Sequence, residues 1–311
     1  MPGGDTEIPV IDISGDTSLA AASEQIDAAC SGIGFFAMTG HGVERALLDG
    51  VLMAARQFFT QPLASKCALA IELSGHHRGY AGVEGELLEP GLRADFKETL
   101  DFGPERSLDD PDCSPLEGPN QWPDLPGFRM TVEAYQEAVL DAAKRLLRLI
   151  AEALDQPPSF FDQRLVRPLV GTRLIRYPAV GEPLLDQLGC GAHSDYGCVT
   201  LLHTDGTPGL QLADVDGQWH DVVAPAGSFI VNLGDMLARW TNDRYRATVH
   251  RVQSPRAADR YSVPTFVNPS FDTVVECLPS CLGEGEQPKY PPATSGVYLQ
   301  SRFDETFAYR K

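Results

Sequence analysis

The sequence predicts a mixed α+β protein whose core is a double-stranded β-helix, a cupin-like jelly roll, flanked by helices. Three observations lead there. After Pro168, strand-like runs follow closely at 172–177, 198–203, 209–212, 228–233, 247–252 and 262–268; many short strands at close spacing build a sandwich or barrel. Turn chemistry separates them, as Thr207-Pro208-Gly209, Asp216-Gly217, Pro225-Ala226-Gly227 and Asn242-Asp243. No phosphate-binding loop or dinucleotide glycine fingerprint stands before a helix, which disfavours a doubly wound sheet.

Taken in order, residues 8–13 (Ile-Pro-Val-Ile-Asp-Ile) read as a short strand. Residues 19–31 carry apolar side chains at helical spacing and end at Gly32 and Gly34. A strand over 35–39 is closed by Gly40-His41-Gly42, where His41 has no carboxylate at metal-ligand spacing and serves a turn. One or two amphipathic helices fill 43–70, broken at Gln61-Pro62. Periodicity then fades over 74–103, as in a functional loop, and 107–127 reads as a surface connection. Val132, Tyr135, Val139, Ala142, Leu146, Ile150 and Leu154 make an apolar stripe on a scaffold helix over 131–154. Ser159 is a candidate N-cap for a short helix after it. The expected organisation is one integrated unit: an N-terminal region 1–125, scaffold helices 126–165, the jelly-roll core 166–275 and a closing segment 276–311.

Composition narrows the partners. With 25 Lys plus Arg against 43 Asp plus Glu, the formal net charge is -18, which repels phosphate backbones and anionic lipid. Neither nucleic acid nor a membrane surface is an expected partner, whereas a small-molecule substrate is. The seven cysteines are scattered without a Cys-x-x-Cys pair, so they form neither a disulfide framework nor a zinc site. No secretory pattern opens the chain and no run reaches the ~20 apolar residues of a membrane helix, so a cytoplasmic protein is expected. Composition leaves the oligomeric state open.

The chemistry centres on Gly191-Ala192-His193-Ser194-Asp195-Tyr196, which runs into an apolar strand. In extended chain, residues two apart project to one face, so His193 and Asp195 can reach one metal ion. His250, in the β-branched run Ala247-Thr248-Val249-His250, offers a third ligand. Two imidazoles and a carboxylate form the facial triad of non-haem Fe(II) oxygenases. Each part alone has a bland reading: a surface pair at a strand end, and a hydrogen-bonded histidine. Asn232-Leu233-Gly234-Asp235 ahead of His250, Arg260-Tyr261-Ser262 after it, and Arg176-Tyr177-Pro178 before the His-x-Asp weigh against those readings.

In this order the motifs resemble the isopenicillin N synthase-like family of Fe(II)/2-oxoglutarate-dependent dioxygenases. Ile8-Pro9-Val10-Ile11-Asp12, Gly34-Phe35-Phe36, Gly40-His41-Gly42-Val43, Arg78-Gly79-Tyr80 and Asp95-Phe96-Lys97-Glu98 extend the likeness over nearly the whole chain. The resemblance implies that His193, Asp195 and His250 bind iron, and that Arg260, Ser262 and Tyr177 bind the distal carboxylate of 2-oxoglutarate. Arginine suits that role because its planar fork pairs with a carboxylate bidentately. The implied reaction uses O2, releases succinate and CO2, and oxidises a C–H bond by hydroxylation, desaturation or cyclisation. Arg173, Tyr196, Leu201, Val252 and Phe303 are the candidate substrate residues. Arg173, on the strand side of Ile175 and Tyr177, binds a substrate or cosubstrate carboxylate or else pairs with an acidic residue of the protein. The segment 298–307 resembles a terminal helix that closes such a site. An iron oxidase that uses O2 without 2-oxoglutarate is the nearest alternative, and a non-enzymatic jelly-roll binder the remote one.

Overall fold

A computed structural model describes residues 6–15, 18–89, 91, 93–181 and 187–306. Residues 1–5, which bear on the secretory reading, lie outside that set, as does Phe307 of the closing segment. The chain runs β1 (Thr6–Glu7), β2 (Val10–Asp12), α1 (Leu19–Ser31), β3 (Phe35–Thr39), α2 (Arg45–Phe59), α3 (Leu63–Cys67), β4 (Gly79–Ala81), β5 (Glu98–Phe102) and α4 (Phe128–Ala153). There follow β6 (Pro168–Tyr177), β7 (Cys190–His193), β8 (Val199–Thr204), β9 (Leu210–Ala213), β10 (Trp219–Val223), β11 (Phe229–Leu233) and α5 (Asp235–Trp240). The last elements are β12 (His250–Val252), β13 (Arg260–Ser270), β14 (Val274–Val275), β15 (Ala293–Thr294) and α6 (Ser295–Thr306).

Local chemistry accounts for the helix ends. The Ser18 hydroxyl accepts from the Ala21 N–H at 3.2 Å and opens α1, which closes at Gly32. Pro62 separates α2 from α3, as its missing N–H requires. The helix expected after Ser159 is instead a 3-10 turn over Asp162–Arg164. So short a segment, started by Pro157-Pro158, does not recover the cost of nucleating an α-helix.

Two sheets make the jelly roll. The larger has the order β2-β3-β11-β8-β13-β6-β5-β4 and the smaller β1-β10-β9-β12-β7. Phe35, Ile175 and Ile230 from the larger sheet pack with Leu210, Leu212 and Val252 from the smaller, filling the barrel. The outer face of the larger sheet carries Phe36, Leu201, Val231 and Val263 against α1, α2 and α4. Strand alternation thus sends Leu201 to the helices and its neighbours Thr200 and Leu202 to the barrel interior. This corrects the expectation that Leu201 lines the substrate pocket.

Strand β5 has no period-2 apolar pattern because Glu98, Thr99 and Asp101 are all buried in it. Their burial is sustained by ion pairs, Glu98 with Lys66 at 2.7 Å and Asp101 with Arg173 at 2.7 Å. His41 serves the turn expected of it. Its Nε2 donates to the Gly227 carbonyl at 2.8 Å while Nδ1 accepts from the Val43 N–H.

His203, on the helix-facing side of β8, is buried, its Nε2 without a hydrogen-bond partner among the described residues, and burial pushes its pKa from 6.5 down to about 4. Between those values the unfolded chain takes up a proton that the folded protein refuses. Stability therefore falls as pH drops through that window, by roughly 2–3 kcal/mol. A His203→Gln protein should show a smaller loss of Tm between pH 7 and pH 4.5 than the wild type; equal losses would remove His203 as a source of acid sensitivity.

Candidate metal centre and its cavities

The antiparallel pairing of β12 with β7 sets His250 directly opposite His193, with ring centroids 4.4 Å apart. Asp195 lies just beyond β7, in the turn before β8, rather than on the strand itself. The turn carries its carboxylate back toward the histidines, and Asp195 Oδ1 sits 3.9 Å from the Nε2 of each. Among the described residues these three form a group whose ligand atoms all lie within 4.8 Å of one another, a spacing suited to one metal ion.

Surrounding atoms prepare the donors. His193 Nδ1 lies 2.8 Å from the Gly191 carbonyl, and His250 Nδ1 lies 3.1 Å from the Thr248 carbonyl. A carbonyl only accepts, so both Nδ1 atoms carry the proton and both Nε2 lone pairs face the centre. Burial, then the charge of His193, hold the His250 pKa below the ordinary value, keeping it neutral for ligation. Burial pushes the Asp195 carboxyl up. Positive charge on His250 and His193 whenever they are protonated, and hydrogen bonds from Thr200 and Asn232, more than offset this and keep it low. Asn232 donates to Asp195 Oδ2 at 2.6 Å and the Thr200 hydroxyl donates to the same oxygen, which leaves Oδ1 for a metal.

Gly234 explains the Asn-Leu-Gly-Asp motif. A Cβ there would meet the Gly197 carbonyl oxygen at 2.3 Å, and this close approach lets the Asp235 N–H donate to the Asp195 carbonyl at 2.8 Å. An Asn232→Ala protein should bind Fe(II) some 10–100-fold more weakly while folding normally, the usual cost of losing an outer partner of a ligand. Anaerobic Fe(II) titration would test this, and unchanged affinity would deny Asn232 an orienting role.

A cavity of about 580 Å³, open solvent included, connects the triad to Tyr177, Arg260 and Ser262. Arg260 and Ser262 share a face of β13, and Arg260 pairs in register with Tyr177 of β6. Arg260 is only 1% exposed; its Nε donates to the Thr207 carbonyl at 3.1 Å, but its Nη1 is buried and finds no hydrogen-bond partner among the described residues. A buried, unpaired guanidinium N–H is costly, and a carboxylate in the cavity would satisfy it. Burial pushes the Tyr177 phenol up to about 12, so it remains a neutral hydrogen-bond donor. Two imidazoles and one carboxylate, with an arginine for a dicarboxylate's far end, suit iron chelated by a keto acid.

A family model described as "non-haem dioxygenase in morphine synthesis N-terminal" matches residues 8–125, and that of the 2OG-Fe(II) oxygenase superfamily matches residues 169–269. The 2-oxoglutarate-Fe(II) type oxidoreductase hxnY of Emericella nidulans is 39% identical over 98% of this chain and 93% of its own. The chain belongs to the 2OG-Fe(II) oxygenase superfamily. A full-length Neurospora crassa protein, solved in complex with alpha-KG and thymine, superposes on this oxygenase with a TM-score of 0.84, at 28% identity and 96% coverage of each chain. JOX2 in complex with 2OG, Fe and JA gives a TM-score of 0.81 at 28% identity, covering 97% of this chain and 86% of that one. The oxygenase is thus a 2-oxoglutarate-dependent dioxygenase, with Fe(II), 2-oxoglutarate and O2 as its cofactor and cosubstrates.

A second, larger cleft, about 990 Å³ with the open solvent at its mouth included, also reaches His193 and Asp195. Phe102, Leu116, Leu169 and Phe266 give it apolar walls. Tyr196 and Phe303 line it, and Phe303 stacks on His77 with centroids 4.4 Å apart. Helix α6 is tied down by the Tyr196–Thr306 hydroxyl contact at 2.6 Å and by Tyr298, which donates to Asp235 at 3.0 Å. Val252 faces the Arg260 cavity instead, since β12 places it beside Leu210. Arg173 borders both cavities, its guanidinium ion-paired with Asp101 at 2.7 Å and Glu86 at 3.0 Å. That is the intramolecular pairing left open as the alternative for this residue. Sequence reasoning missed Thr200, Asn232, Glu86 and Asp101. Asn232 stood inside a noted motif, whereas Glu86 and Asp101 lie in stretches with no pattern.

Proposed function

We propose that this oxygenase oxidises an unactivated C–H bond of a small-molecule metabolite in the cytoplasm, by hydroxylation, desaturation or cyclisation, and releases succinate and CO2. In this reading His193, Asp195 and His250 hold the iron, while Arg260, Ser262 and Tyr177 hold the distal carboxylate of 2-oxoglutarate. Iron with 2-oxoglutarate and O2 supplies the oxidising power. The chain's own residues bind the cosubstrate, orient the substrate and exclude water. Tyr196 and Phe303 contribute to the last two tasks, Tyr196 beside the ligands and Phe303 from α6 over the cleft.

The observation that carries the reading is the buried, unpartnered Nη1 of Arg260 in the cavity that reaches the triad. The test is turnover of a metabolite panel with Fe(II) and 2-oxoglutarate in air, with succinate quantified against oxidised product. Equal amounts of the two support the assignment. Product formed without 2-oxoglutarate would make the protein an iron oxidase of the isopenicillin N synthase type.

A further inference from the structure

The cleft beside the iron site holds buried charge that the chemistry of the metal does not use. The arginines that line it are Arg78 and Arg173, and His76, His77 and His193 line it as well. Arg78 donates to the backbone carbonyls of His76, His77 and Leu116 at 3.0–3.2 Å, clamping the loop before β4 to the 116 segment. Arg173 is held by Asp101 and Glu86. Behind it Lys97, buried as well, lies 2.9 Å from Glu86 and 2.7 Å from Asp95. Glu86, Asp95 and Asp101 thus face Lys97 and Arg173 in a closed network whose cations are matched by carboxylates.

Resting on the 2-oxoglutarate oxygenase reading above, we infer that the cleft takes an uncharged substrate and rejects a free carboxylate, with Glu86 and Asp101 as the residues that set this preference. A carboxylate approaching Arg173 would have to displace one of two protein carboxylates or lie beside them. Like charges at that range, away from water, disfavour one another strongly. Burial opposes the charge on Glu86, but Arg173 and Lys97 hold its pKa near 2, so it remains an anion throughout the working range. A neutral molecule meets no such opposition. It can accept or donate at the rim of the network while its apolar body packs on Phe102, Leu116 and Phe266. The substrate class is therefore a neutral, mainly apolar compound such as an amide, lactam, lactone or alcohol. Where the metabolite is an acid, the enzyme acts on its amide or ester.

Matched pairs of probes test this: benzamide with benzoate, phenylacetamide with phenylacetate, and indole-3-acetamide with indole-3-acetate. Each is titrated anaerobically into the full chain loaded with Fe(II) and 2-oxoglutarate, and the shift of the iron d–d bands is read. The absorption band of 2-oxoglutarate chelated to Fe(II) comes first, and its absence would count against the oxygenase reading itself. With that band present, the amides should shift the d–d spectrum at concentrations at least tenfold below those of their acids. Glu86→Gln, and independently Asp101→Asn, keep a hydrogen-bonding group in place but raise the cleft's charge by one. Either should tighten binding of the acids at least tenfold relative to their matched amides. Wild-type preference for the acids, equal binding of both members, or no response to any amide would overturn the inference. So would acid affinities unchanged in a folded variant.

Discussion

An Asp195→Asn protein should fold, lose Fe(II) and lose turnover together. Asp195 Oδ2 accepts from Asn232 and Thr200, and the amide oxygen of an asparagine would take that place because both neighbours donate. Its NH2 would then face His193 and His250, where an amide nitrogen cannot ligate. The group of three would also lose its one anionic donor, leaving two neutral imidazoles. The fall in iron affinity should exceed the 10–100-fold typical of outer partners, and 2-oxoglutarate turnover should drop at least about 1,000-fold. Iron content after anaerobic reconstitution, succinate formation and Tm measured together would check this. A folded variant that kept iron and activity would remove Asp195 from the metal site.

Arg260 is the second decisive residue. Arg260→Leu should raise the KM for 2-oxoglutarate by roughly 100–1,000-fold, since losing one partner of a buried, hydrogen-bonded charge pair costs about 2–5 kcal/mol. Arg260→Lys should fall between, because an ammonium is a point charge without the fork. A stability measurement separates this role from a structural one. Without cosubstrate, Arg260 buries a charge with an unpartnered Nη1, so the leucine variant should be as stable as the wild type or more so. With 2-oxoglutarate at ~100 times its Kd the wild type should gain about 2.7 kcal/mol, and the variant should gain little. A variant destabilised equally in both conditions would assign Arg260 to the scaffold alone.

The legible parts of the fold were those with local causes. Helix α1 over Leu19–Ser31 and strand β3 over Phe35–Thr39 follow from apolar spacing and glycine stops, and the break between α2 and α3 follows from Pro62. Strand β5 was illegible because its burial is sustained by Lys66 and Arg173, which lie outside it. Leu201 shows the limit of proximity in sequence. It lies six residues from Asp195 yet faces the helices, because a strand turns alternate side chains to opposite sides.

The donor chemistry is legible from residue identity. Two imidazoles, a carboxylate and an Arg-x-Ser pair are properties of residue type and spacing, and residues two apart on β13 share a face wherever that strand lies. How those donors are held depends on contacts between segments far apart in the chain. The pairing of β12 with β7 opposes His250 to His193, while Asn232 and Thr200 choose which oxygen of Asp195 is available. The fold also decides the state of Arg173, whose charge is matched by Glu86 and Asp101, 87 and 72 residues away along the chain. An arginine's charge is written in its identity; whether that charge is left for a ligand depends on what the fold brings beside it.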